Sequence, residues 1–479
     1  MAQVPDAGIV AVFDVGKTNI KLSAVTRAGE VLETLSTPNT VLPGPPWRNH
    51  DLASASDWLF SGLAALSKRH RLTVFVASGH GSGGVLTGPD PEAGDGSVLP
   101  MIDYEQALPP TIRDGYARLA GTFFERGSKT MHAATHQARQ MYWMQEVDPG
   151  AFAKARWLLG VPQYWAWRLS GVATSEATFL GAQSHLWNVA ERRWSKIVLE
   201  RGWLQLMPPL AFAWQDLGPI LPGVAKNYGL PPNLRILAGL HDSSANFYRY
   251  QAAGFANLTV VSTGTWVVGL SSTLPISLLD EHRGMTLNAD VYGAPLGGVL
   301  TMAGREFTTI AGESADTTPA DVDTIDRLVV RGTMALPTFG GDDGLFPGTA
   351  GQGRIVGPAI ETPAERKALA VLHAALLTTE CLDSLHADGQ VVLDGPFVRD
   401  PAYTALVAAL FKRAEIWISL DAYGVASGAA LLVDHQARTS PAPIRVTRPD
   451  DLTVRLPSLA GYAARWRSLA SSPTKRSVS

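Results

Sequence analysis

A single cysteine, Cys381, is all that the 479 residues contain, so no internal disulfide can brace the chain. It sits in Ala375-Leu376-Leu377-Thr378-Thr379-Glu380-Cys381-Leu382, a helical-looking run in which a buried, inert thiol is expected. No stretch reaches the ~18 uninterrupted apolar residues needed to cross a bilayer. The first residues, Met-Ala-Gln-Val-Pro-Asp, lack the basic start and the apolar stretch of about 7–15 residues that mark a signal peptide, so a cytoplasmic location is expected. Charge is sparse as well. Asp, Glu, Lys and Arg make up 17% of the chain, the formal net charge is −3, and the one short basic run is Lys475-Arg476 near the end. An electrostatic footprint for nucleic acid is therefore missing, and a small-molecule partner is expected.

What is present is an ordinary globular α/β composition, with 46% hydrophobic residues, 46 glycines and 32 prolines. The length exceeds one ordinary core and predicts two domains of roughly 200 residues each. Ile9 to Asp14, a small-residue turn at Gly16-Lys17-Thr18-Asn19, Ile20 to Val25 and a third strand after Gly29 read as a β-meander. Helical periodicity follows at 53–69, a buried strand at Leu72 to Val76 and a glycine-rich loop at 79–84. From 131 to 207 the spacing is helical, with Trp143, Trp157, Trp165, Trp167, Trp187 and Trp194 expected to pack in the core. Residues 256–270 repeat the opening in outline: Leu258 to Ser262, then Thr263-Gly264-Thr265, then Trp266 to Leu270. Two such openings about 245 residues apart predict a duplicated domain, divided as 1–248 and 249–479. Later come helical periodicity at 365–387, a strand at Val391 to Leu393, a helix over 401–413, a close-packed small-residue helix at 426–432 and a final dozen residues expected to fray.

Gly16-Lys17-Thr18 is not a P-loop, because position 11 is alanine where that motif needs glycine and the turn leads into a strand. It can instead be a hairpin whose amides and Thr18 hydroxyl face a phosphate, with Asp14 holding Mg²⁺ through water. The second hairpin offers the hydroxyls of Ser262, Thr263 and Thr265 around Gly264. Leu237 to Ala245 reads as an apolar strand ending in a carboxylate, Asp242, which suits a general base or, failing that, a helix N-cap. His132 and His136 stand four apart without the glutamate of a zinc protease and read as two polar residues on one helix face. Ser82 lacks the flanking spacing of a serine hydrolase elbow.

Taken in order, Asp14-x-Gly16-x-Thr18, Ser78-Gly79-His80-Gly81-Ser82-Gly83-Gly84, Asp103-Tyr104-Glu105, Gly239-x-His241-Asp242, Ser262-Thr263-Gly264-Thr265-Trp266 and Asp394-Gly395 resemble the FGGY carbohydrate kinases over residues 8–435. The His-Asp pair and the Ser-Thr-Gly-Thr-Trp string look most like the rhamnulokinase and fuculokinase branch. The resemblance implies two ribonuclease-H-like domains, as in actin and hexokinase, with ATP and Mg²⁺ in the interdomain cleft beside the sugar. It implies Asp14 as the organiser of Mg²⁺ and the hairpin of Gly16, Lys17, Thr18 and Asn19 at the phosphates, opposite Thr263, Gly264 and Thr265. Asp242 becomes the catalytic base, His80, Gly81, Ser82, Gly83, Asp103 and His241 line the sugar pocket, and Gly395 and Phe397 flank the adenosine.

Three positions depart from the family pattern. Lys17 replaces a hydroxyl residue and points either to the phosphates or to solvent, Asp394-Gly395-Pro396-Phe397 is glycine-poor for an adenosine loop, and Phe339-Gly340-Gly341 is followed by Asp342. The reaction implied is transfer of the γ-phosphoryl of MgATP to a hydroxyl of a ketose or deoxyketose resembling L-rhamnulose, L-fuculose or a pentulose. Two competing readings are a sugar- or nucleotide-sensing regulator that has lost turnover and an actin- or chaperone-like ATPase. The implied partners are the sugar and MgATP, with neither nucleic acid nor membrane; the sequence leaves a homodimer open.

Overall fold

The computed structural model describes residues 8–312, 318–341, 344–452 and 455–471. The frayed end expected from 468 is helical through Ala470, and its residues 472–479, like Asp342, lie outside the described residues. The chain forms two compact units: Met1–Gly254 with Leu287–Pro295 and Tyr423–Pro443, and Phe255–Thr286 with Leu296–Ala422 and Ile444–Ser479. Among the described residues no helix is long and apolar enough to cross a membrane.

In the first unit, β1 (Ile9–Val15), β2 (Asn19–Thr26) and β3 (Val31–Pro38) form an antiparallel meander. After helix α1 (Leu52–Ser67), the chain returns as β4 (Leu72–Gly79), parallel to β1. Both β1 and β4 are nearly continuous apolar runs because both of their faces are covered. Beyond β4 lie β5 (Asp216–Pro219), β6 (Arg235–Leu237) and β7 (Leu240–His241), giving the order β5-β6-β4-β1-β2-β3 with β7 also on β4. One face carries Leu59, Phe60 and Leu63 of α1 against Phe13, Leu22 and Phe75. On the other, Ala426, Ala429 and Ala430 of the helix Gly424–Ala430 pack on Val10, Val12 and Val76. Gly428 of that helix sits so close that a Cβ would overlap the Ala245 carbonyl, which accounts for its run of small residues.

The second unit repeats this plan. β8 (Leu258–Ser262), β9 (Val267–Ser271) and β10 (Pro295–Thr301) are an antiparallel meander. Helix α5 (Ala303–Ala311) follows β10, and the long α6 (Pro363–Ser384) leads into β11 (Gln390–Asp394), parallel to β8, with β12 (Glu415–Ile418) beyond it. The order β10-β9-β8-β11-β12 matches β3-β2-β1-β4-β6 in sequence of pairing and in strand direction. Each unit is thus an α/β domain of the ribonuclease-H-like kind found in actin and hexokinase. Cys381 is buried within α6.

The segment 131–207 differs from the expected helical run. It contains α2 (Gln137–Val147) and α3 (Val161–Ser170), separated and followed by strands of two or four residues and by short helices. Trp143, Trp165, Trp167 and Trp187 are buried in it. His132 and His136 do not share a helix face, because α2 begins only at Gln137. His136 instead stacks on His185 with ring centroids 3.6 Å apart, and both rings are buried. The helix expected over 401–413 stops at Leu410.

Candidate active site

Two strands flank β4 in parallel, β1 on one side and β7 on the other. Asp14 is opposite Ser78, while Leu240 is opposite Ser78 and His241 opposite Gly79. The carboxyl ends of the three strands therefore emerge together, where ligands of open α/β sheets bind. Asp14, His80, His241 and Asp242 come out at this edge.

The strand expected to run unbroken into Asp242 is interrupted. Ile236 pairs with Phe75 and Leu240 with Ser78, so four steps on one strand match three on the other. The extra residue is accommodated at Ala238-Gly239, where Gly239 has φ +77° and a Cβ would overlap the Ala77 carbonyl. A one-residue insertion reverses which face each following side chain takes, and so re-aims the segment that ends in Asp242. Buried Gln163 donates its Nε2 to the carbonyls of Ala238 and Gly239, both at 3.2 Å, satisfying the oxygens that the bulge frees.

Asp242 is the first residue of helix α4 (Asp242–Ala252), and His241 rather than Asp242 occupies the N-cap position. Its Oδ1 accepts from the Ser243 amide at 2.5 Å and lies 3.1 Å from His241 Nε2. Its Oδ2 has no hydrogen bond among the described residues, and the side chain is 27% exposed. Burial lowers the His241 pKa, against the pull of Asp242, so the imidazole is neutral at pH 7. The His241 amide donates to Thr178 Oγ1 at 3.0 Å, and that hydroxyl donates to buried Glu176 at 2.6 Å.

The Asp14 carboxyl makes no hydrogen bond among the described residues. Burial, and after it the charge of Asp242, raises its pKa to about 7, with Lys21 pulling the other way. A carboxylate so placed fits a divalent cation that binds through one or two carboxylates, water and phosphate oxygens. Among the described residues no cluster of three or more His, Cys, Asp or Glu offers a complete protein cage.

The hairpin after Asp14 is tight. The Gly16 amide donates to the Asn19 carbonyl at 3.1 Å, Asn39 Nδ2 donates to the Gly16 carbonyl at 2.8 Å, and Thr18 and Asn19 are exposed. Lys17 takes neither of its two expected directions. Its ammonium is bonded to buried Asp103, lies 3.6 Å from Glu105 and sits over the Tyr104 ring. Arg48 approaches the other oxygen of Asp103 at 2.7 Å. Against the effect of burial, the Lys17 bond and the Glu105 amide hold Asp103 below the usual carboxylate range.

His80 packs between His50 and Tyr104, with ring centroids 5.9 and 5.4 Å away. It is buried, and neither ring nitrogen has a hydrogen-bond partner among the described residues. Burial, followed by His50 and Lys17, pushes its pKa down to about 3, so the ring is neutral and offers one donor and one acceptor. The following loop has no room for side chains: a Cβ on Gly81 would overlap Ala182 and one on Gly83 would overlap Met101. Gln137 and Gln140 of α2 donate to the carbonyls of Gly81 at 3.3 Å and Ser82 at 2.8 Å. Neither glutamine was singled out from the sequence; their spacing of three, which sets both on one face of α2, was the available signal.

In the second unit, Thr263 turns away from its expected task. Its hydroxyl donates to the Asp394 carbonyl at 2.7 Å and accepts from the Phe397 amide at 3.1 Å, tying the hairpin to the loop after β11. Gly395, at φ +89°, lies where a Cβ would overlap the Thr263 carbonyl. Gly304 of α5 likewise packs against the Gly264 carbonyl without room for a Cβ. A cleft of about 650 Å³ opens here, lined by Gly264, Thr265, Gly304, Arg305, Phe307 and Phe397 among others. The rings of Phe307 and Phe397 lie 5.3 Å apart. Its size and its aromatic wall fit a nucleotide base and ribose.

Comparison with known proteins agrees with this plan. Residues 117–247 match the N-terminal domain of the FGGY family of carbohydrate kinases and residues 255–441 match the FGGY C-terminal domain. L-fuculokinase of Escherichia coli K12 is 24% identical over 295 residues, covering 59% of this chain and 61% of the enzyme, so the match spans under two thirds of that relative's length. The crystal structure of a carbohydrate kinase from Novosphingobium aromaticivorans superposes with a TM-score of 0.85 at 29% identity, over 97% of this chain and 98% of that one. A ligand-bound xylulose kinase from Lactobacillus acidophilus gives a TM-score of 0.78 at 16% identity, covering 96% of each chain, a likeness of fold alone.

Proposed function

Because the chain belongs to the FGGY family of carbohydrate kinases, we propose that it transfers the γ-phosphoryl group of ATP to a hydroxyl of a neutral ketose or deoxyketose, with Asp242 as the base. The observation that carries this reading is the pair Asp14 and Asp242 at the carboxyl ends of the two strands flanking β4. Free Oδ2 of Asp242 accepts the proton of the attacking hydroxyl. The deprotonated sugar oxygen forms the new bond to the γ-phosphorus as the bond to the β-phosphate oxygen breaks, and ADP leaves with the electron pair. Because such a transition state is loose, the base mainly aligns the hydroxyl and takes its proton late.

Mg²⁺, when bound, neutralises charge on the transferring phosphates; Asp14 is the residue placed to hold it. The hairpin at Gly16–Asn19 and the hairpin at Gly264–Thr265 supply phosphate donors. Phe397 and its partner Phe307 take the adenosine.

The acceptor side is built for hydroxyls. The unpaired nitrogens of His80 need partners that a polyol supplies in both polarities. Lys17 and Arg48 are balanced by Asp103 and Glu105, so the pocket has no surplus positive charge for a sugar acid. L-Fuculose, L-rhamnulose and pentuloses fit this chemistry, and the fuculokinase relative supports it. The test is an ATP-consumption screen across pentuloses, hexuloses, 6-deoxyketoses, polyols and aldonates. Turnover on a neutral ketose supports the reading. Turnover confined to aldonates, or independent of any sugar, overturns it.

A further inference from the structure

Two groups that the sequence assigned to the donor phosphates are engaged elsewhere. Lys17 is paired with Asp103, and the Thr263 hydroxyl is spent on the Asp394 carbonyl and the Phe397 amide. The cleft in the second unit nevertheless contains a cation. Arg305, the third residue of α5, lines it beside Gly264 and Thr265, is exposed, and forms no ion pair or side-chain hydrogen bond among the described residues. Its neighbours Thr308 and Thr309 donate their hydroxyls to the helix carbonyls of Gly304 at 3.1 Å and Arg305 at 3.0 Å, so neither supplies a free donor to an anion. No carboxylate is among the described residues lining the cleft. A guanidinium with no carboxylate beside it among the described lining residues is suited to a phosphate, which it can bind through two parallel N–H donors.

We propose that Arg305 clamps the polyphosphate of the donor nucleotide and so supplies the charge that Lys17 does not. The cleft then has a polar end at Gly264, Thr265 and Arg305 and an aromatic end at Phe307 and Phe397, which fixes the direction in which the nucleotide lies. The inference rests on the reading of this cleft as the nucleotide site. Since Arg305 is exposed and unpartnered, its removal leaves the fold intact and the binding result can be read directly.

The experiment is equilibrium binding of ADP, adenosine and tripolyphosphate to the full chain and to its Arg305→Ala and Arg305→Lys variants, at two salt concentrations, with melting curves as a control. Arg305→Ala is expected to bind ADP about tenfold more weakly, to bind adenosine like the parent and to lose competition by tripolyphosphate. Its ADP affinity should also depend less on salt, Arg305→Lys should recover part of the loss, and all three proteins should melt together. Equal ADP affinity in parent and Arg305→Ala overturns the role of Arg305 and leaves the nucleotide site standing. A parent chain that binds neither ADP nor adenosine overturns the nucleotide site itself, and this inference with it.

Discussion

Asp14, raised to a pKa of about 7 by burial and then by the charge of Asp242, stands one residue before the end of the strand on one side of β4, and Asp242 follows the strand on the other. Without a cation, this arrangement costs stability whenever both groups are ionised. The folded-state pKa of Asp14 lies above its ordinary value of 3.8, so its favourable contribution is complete below about pH 4 and is lost as the pH rises through 7. Asp14→Asn should therefore stabilise the metal-free protein by about 1–2 kcal/mol at pH 8 and have little effect at pH 4 and below. Melting curves of both proteins over that range test this. A variant less stable at pH 8 would mean that Asp14 has a stabilising partner instead.

Asp242→Asn keeps the shape of the side chain and removes its basicity. Sugar-dependent phosphorylation should fall by roughly 10² to 10⁴, while binding of ATP is retained. Steady-state turnover together with nucleotide titration checks both halves of this expectation.

Lys17 touches Asp103, Glu105 and the Tyr104 ring, which places it with the acceptor groups. Lys17→Met should raise the KM for the sugar about tenfold and leave the KM for ATP within about twofold. The opposite split would return Lys17 to the phosphates.

Gly395 admits no side chain, because its φ is +89° and the Thr263 carbonyl fills the space. Gly395→Ala should destabilise the protein by about 2 kcal/mol or more and weaken nucleotide binding through the displaced Phe397. Urea unfolding and ADP titration measure the two effects.

The sequence displayed the fold well where local chemistry decides it. The first meander, the hairpin over 258–270, the buried strand at 72 and the long helix of α6 follow from periodicity and from glycines at the turns, whereas the third strand of the second meander, Pro295–Thr301, went unread. The small residues read at 426–432 signalled the close packing of the helix Gly424–Ala430, because only a run without bulk can lie against the Ala245 carbonyl. What remained hidden depends on partners remote in the chain. Nothing near Lys17 announces Asp103, which lies 86 positions away, or shows that the Thr263 hydroxyl is taken by a carbonyl 131 positions on. The bulge at Ala238-Gly239 is equally invisible in a run that reads as one strand, since its cause is register against β4 and the carbonyl-binding Gln163 comes from a separate helix.

The central claim is tested most directly by ADP release in the presence of MgATP, with and without each neutral ketose, in the parent chain and in Asp242→Asn. The account predicts ADP formation that requires one of the ketoses, matches the sugar phosphate formed mole for mole, and collapses in the variant. ADP release that ignores sugar, or that persists undiminished in Asp242→Asn, would contradict it.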